Sequence, residues 1–115
     1  MYTILNKDGE KVAYIQNMMI MDLSQEQVLG ILIGDCFFGR RNSVIGKIFN
    51  NTAYLINGEI VGKVVNNEEY KNMALKKAQM QAAWDILSNI KEHTSTWIVE
   101  TNKWSEKPLI FHLLS

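Results

Sequence analysis

Val12-Ala13-Tyr14-Ile15, Leu29-Gly30-Ile31-Leu32, Ile45-Gly46-Lys47-Ile48 and Val61-Gly62-Lys63-Val64 are four copies of one pattern: apolar, small, any residue, apolar. Their small residues lie 17, 16 and 16 positions apart. Self-similarity at a fixed period marks a repeat architecture, in which one supersecondary unit is stacked on itself. Four positions after each small residue stands Asn17, Gly34, Asn50 or Asn66, the residue types that tolerate left-handed backbone in tight turns. Apolar or aromatic residues, Ile4, Met21, Phe38 and Tyr54, open the units.

Between the opening residue and the small residue lies a second turn, the part of the unit that varies in length. It reads Asn6-Lys7-Asp8-Gly9, Leu23-Ser24-Gln25-Glu26, Arg40-Arg41-Asn42-Ser43 and Ile56-Asn57-Gly58-Glu59. Asn57-Gly58 and Asp8-Gly9 are strong short-range hairpin signals. The flanking segments are rich in β-branched residues, too short for independent helices and bounded by turn residues, so they read as strands. Residues 3–67 are therefore predicted to form four tandem hairpins, an antiparallel meander of eight short strands.

Strict alternation along each strand assigns two faces. Ala13 and Ile15, Val28, Gly30 and Leu32, Val44, Gly46 and Ile48, and Ile60, Gly62 and Val64 share one face, predicted to be the packed centre. Small residues at equivalent places predict close approach of neighbouring hairpins. The other face carries Val12, Tyr14, Leu29, Ile31, Ile33, Ile45, Lys47, Phe49, Val61, Lys63 and Val65. It is too apolar to meet only water, and is predicted to be covered by the rest of the chain or by a second subunit.

Four short hairpin units, each with a turn and an apolar-Gly-x-apolar strand, followed by a helix, resemble the bacterial 4-fold β-flower domain. The resemblance spans residues 3 to about 67 and implies four hairpins around a pseudo-fourfold axis, with no established activity. The chain departs from the pattern at Ala13, in place of glycine, and at Ser24-Gln25-Glu26, which lacks a turn glycine. PRC-barrel-like domains, with G-x-x-V-G-x-V strands, look similar and are a competing match.

After Val65 the period changes. Asn66 is a good N-cap, Glu69 completes a capping-box spacing, and no Gly or Pro occurs from Glu68 to Lys91. One long helix over 67–92 is predicted. Met73, Met80, Trp84 and Leu87 form one apolar stripe and Leu75, Ala78, Ala82 and Ile86 a second. Two stripes imply two partners: the β-unit, and the same helix of a second chain, giving a dimer. The tail, 93–115, holds a predicted strand at Thr96 to Thr101 and an apolar end, Leu109 to Leu114, that should dock back on the core. The fold class predicted is α+β, mainly β, in a single domain over 1–115.

Composition narrows the function classes. Apolar residues at 47% and charged residues at 21% describe a chain that folds rather than one that stays disordered. Twelve basic residues balance twelve acidic ones, so the footprint of a nucleic-acid or anionic-membrane binder is missing. The single cysteine, Cys36, and the lack of a signal-like leader or a long apolar run point to a cytoplasmic protein without a membrane span.

No residue pattern argues for catalysis, metal binding or a cofactor. His93 and His112 are nineteen residues apart, and Cys36 is far upstream, so no metal spacing arises. His93 reads as a helix C-terminal cap, His112 as a packed or edge residue, and Cys36 as a buried thiol. Glycines spread one per hairpin fail the phosphate-loop test. Asp8, Asp22, Asp35 and Glu59 suit turn capping. Arg40, Arg41, Lys47 and Lys63 are the one basic concentration, a candidate anion or partner patch. Trp84, Trp97 and Trp104 suit either core packing or an interface. The sequence thus predicts a small non-enzymatic bacterial protein, a structural or protein-interaction module that self-associates through Met73, Met80, Trp84 and Leu87. A small-molecule or peptide pocket at the hairpin axis or sheet–helix junction is the alternative, and an enzyme ranks last.

Overall fold

The structure, a computed structural model, describes residues 1–41, 43–66, 76–90 and 97–115. The repeat folds into eight strands: β1 Tyr2–Leu5, β2 Lys11–Gln16, β3 Met19–Met21, β4 Val28–Ile33, β5 Cys36–Phe38, β6 Val44–Phe49, β7 Thr52–Leu55 and β8 Ile60–Asn66. Each strand pairs antiparallel with the next. The last returns to the first, with Tyr2 opposite Asn66 and Leu5 opposite Lys63, so the meander closes into a barrel. Closure gives every strand two neighbours and removes the exposed edges of an open sheet.

All four units share one ladder. Ile4 faces Ala13, Ile20 faces Gly30, Phe37 faces Gly46 and Ala53 faces Gly62. Immediately after each of these pairs the register slips by one, leaving Val12, Leu29, Ile45 and Val61 as the extra residue. A β-bulge places two successive residues against one on the partner and breaks alternation. The strict-alternation assignment of faces is therefore corrected. Val12, Leu29, Ile45 and Val61 pack in the barrel core with Ala13, Ile15, Leu32, Ile48 and Val64, whereas Val28, Val44 and Ile60 pack outside it. The position opening each unit also moves by one. Ile4 matches Ile20, Phe37 and Ala53 inside, and Met21, Phe38 and Tyr54 follow the bulge and face outward.

The units meet through two-residue turns. Asn17–Met18 and Asn50–Asn51 hold both residues at positive φ, and Gly34 holds φ 61°. Asn66 breaks the series, because it ends β8 opposite Tyr2 instead of turning. Close approach of neighbours is real at the glycines. A methyl group on Gly30 or Gly46 would run into the carbonyl oxygen of Phe38 or Tyr54 on the next unit.

The predicted single long helix is not shown among the described residues. Helix α1 spans Lys77–Ser88, 12 residues, capped by Lys76 and Asn89, with Ile90 already outside it; 67–75 and 91–92 lie outside the described residues. Its buried side is Gln79, Ala83 and Ile86, with Ile90 just beyond, laid over Ile31, Cys36, Phe38 and Met21. Ala78 of the predicted second stripe is exposed, because the docked stripe is rotated by about one residue. Residues 97–101 form no strand. That stretch packs Ile98 against Tyr54 and Ile60 and ties Thr101 N–H to the Gly58 carbonyl in the β7–β8 turn, and beyond it Trp104 bridges Ile60. The predicted apolar end does dock, as helix α2, Leu109–Leu114, whose Leu109 and Leu113 complete the core at the end of the barrel carrying the intra-unit turns. Its last turn is held by Arg40 N–H donating to the Leu113 carbonyl at 2.7 Å. The outer face is thus covered in cis by α1 over β3 to β6 and by the tail over β7 and β8.

Candidate functional site

With one end closed by α2 and the outer wall partly clad, two of the concave surfaces among the described residues have mainly apolar linings drawn from more than one unit. The first is a groove of about 400 Å³ between α1 and β3–β4. Its helix side is Met80, Ala83, Trp84 and Leu87, and its barrel side is Met18, Met19, Ile31, Leu32 and Ile33, with Asn17 at the end. Trp84 is 63% exposed and Met18 60%, although both lie in an almost wholly apolar lining. Three of the four residues predicted to mediate self-association, Met80, Trp84 and Leu87, meet here on one helix face; the fourth, Met73, lies outside the described residues.

The second surface is the open mouth of the barrel, at the end where the inter-unit turns lie. Ile15, Leu32, Ile48 and Val64, the second apolar residue of each repeat, come together around the axis as its floor. Met1, Tyr2, Gln16, Asn17, Met18, Phe49, Asn50 and Asn51 form the wall and rim around about 460 Å³. The rim is braced by main-chain bonds from Leu32 to the Met18 carbonyl and from Val64 to the Asn51 carbonyl, both 2.8 Å. Gln16 is buried within it.

The basic patch does not assemble. Lys47 pairs with Asp35 at 3.9 Å and lines a recess with Trp97 and Glu100, while Lys63 donates to Thr52 Oγ1 at 3.3 Å. Arg40 and Arg41 sit at the other end of β6, with Arg41 beside His112 and Asn57. Strand alternation and the barrel's curvature separate residues that are near in sequence.

Cys36 is buried under α1, its sulfur 3.6 Å from Asp35 Oδ1. His112 Nε2 lies 3.1 Å from Ser105 Oγ, and that hydroxyl also accepts the Lys107 N–H at 3.2 Å. The pair braces the start of α2 against its last turn. Burial lowers the His112 pKa, outweighing the Lys107 main chain and Glu59, which both raise it. Tyr54, stacked on Phe49 at 4.7 Å and donating to Glu100 Oε2 at 3.1 Å, has its pKa raised by burial and then by that carboxylate. His93 lies outside the described residues. No cluster of three or more metal-ligating side chains occurs among the described residues.

Sequence reading missed Met18 and Gln79. Met18 follows Asn17 in a turn where methionine holds φ 66°, a conformation rare for that residue. Gln79 is a polar residue on the buried stripe of α1. The signal for the rim was Asn17 and Asn50 at matching repeat positions, the residue type that tolerates left-handed backbone. No family model, curated protein or solved structure matches the chain.

Proposed function

We propose that the protein is an interaction module that pairs with a second copy of itself through the groove between α1 and β3–β4. The observation that carries this reading is the exposure of Met80, Trp84 and Leu87 on the flank of α1 that borders the groove, beside the stripe already docked on the barrel. Their spacing of i, i+4 and i+7 is the anchor pattern of a helix that enters an apolar groove. The chain thus offers both the groove and the helix that fits it, as a two-fold self-complementary interface requires. Equal numbers of acidic and basic residues leave no net repulsion between copies.

Sedimentation velocity from low to high micromolar concentration tests the reading. A concentration-dependent dimer is expected, and Trp84→Glu should return it to monomer with the unfolding midpoint of the dilute, monomeric wild type, since Trp84 is not core. A wild-type protein that stays monomeric across that range overturns it.

A further inference from the structure

We propose that the open mouth of the barrel binds an uncharged small molecule with an apolar body and an amide or hydroxyl end. The volume of about 460 Å³ falls within the range of about 300–1,000 Å³ typical of small-molecule pockets, and the mouths of β-barrels are among their usual places. Eight strands are also the number at which a barrel interior either fills with side chains or holds one small ligand. Here the α2 end is filled and the mouth is not.

The lining sets the chemistry. The floor of Ile15, Leu32, Ile48 and Val64 offers water no hydrogen bonds, so an apolar group gains by replacing it. The chain holds twelve basic and twelve acidic residues, yet no charged side chain of the described residues lines the mouth. The one charge on its lining is the Met1 amino group, so a cation would lose its hydration there without a counter-charge. The rim is instead built from the turn carboxamides Asn17, Asn50 and Asn51, each able to donate and accept, with Gln16 buried beside them. Two of them, Asn50 and Asn51, sit in a two-residue turn anchored to β8 through Val64, so the rim is preformed and ordering it on binding costs little.

The proposal is independent of self-association, although Asn17, Met18 and Leu32 border both surfaces. A methyl NMR titration with 4-butylbenzamide and its cationic counterpart 4-butylbenzamidinium separates the possibilities. The amide should shift Ile15, Ile48 and Val64 methyls, and the amidinium should bind about tenfold more weakly or worse. Trp84→Glu should leave those shifts unchanged. Asn50→Asp, which keeps a residue type tolerant of positive φ, should weaken the amide severalfold without changing the unfolding midpoint. Shifts confined to Met80 and Leu87, no shifts up to the solubility limit, equal binding of the amidinium, or an unaltered affinity in Asn50→Asp would each overturn the proposal.

Discussion

Gln79 Nε2 donates to the main-chain oxygen of Gln25 at 2.7 Å, tying α1 to the intra-unit turn of the second hairpin. The same side chain accepts from Lys76 N–H through Oε1 at 3.1 Å, so one buried amide both caps the helix and docks it. Gln79→Glu keeps the accepting oxygen for Lys76 but replaces the donor with a carboxylate facing a carbonyl. It should cost about 2 kcal/mol, more than Gln79→Ala, because a buried unpaired charge is worse than a lost bond. Urea unfolding of both variants ranks them, and equal losses would mean that the amide donor is not what holds the helix.

Gln25 itself sits at φ 60°, where the equivalent residues of the first and last units are Gly9 and Gly58. All three donate their N–H to the carbonyl three residues back, so the turn is the same and the residue is the misfit. Its side-chain Oε1 is buried with no hydrogen-bond partner among the described residues. Gln25→Gly should stabilise the protein by about 1 kcal/mol by removing left-handed strain while keeping the carbonyl that Gln79 needs. A lower unfolding midpoint would contradict this.

Gly46 tests the close approach between units. Any side chain there meets the Tyr54 carbonyl and the Cα of Leu55, both main-chain atoms. Gly46→Ala should cost about 3 kcal/mol, since backbone must shift to admit the methyl group. Gly34→Ala is the contrast: space around it is open, and only its positive φ resists, at about 1 kcal/mol. Thermal unfolding of the two variants should separate them clearly.

His112 should make the α2 plug sensitive to acid. Its folded pKa lies below the usual 6.5, so the unfolded chain binds more protons between the two values. The stability this contributes is complete above about pH 6.5 and is lost as pH falls toward the folded pKa. His112→Gln should flatten the dependence of unfolding midpoint on pH below 6.5, and an unchanged slope would remove His112 from the account.

The periodic sequence by itself determined the number of hairpins, the strands and most turns, because these depend on neighbours a few residues apart. Asn17, Asn50, Gly9 and Gly58 each adopt the backbone that their chemistry favours. It also placed Met80, Trp84 and Leu87 on one stripe, since helical spacing is a local property. Three matters were decided only by tertiary structure. Pairing of Tyr2 with Asn66 closes the barrel across more than half the chain, and no local pattern encodes that. The bulges at Val12, Leu29, Ile45 and Val61 turn an apparent outward residue into core, because the paired strand, not the bulged strand alone, sets which side each residue faces. Finally, α2 fills one end of the barrel and leaves the other open, so Ile15, Leu32, Ile48 and Val64, indistinguishable in the repeat from core residues, become the floor of a mouth.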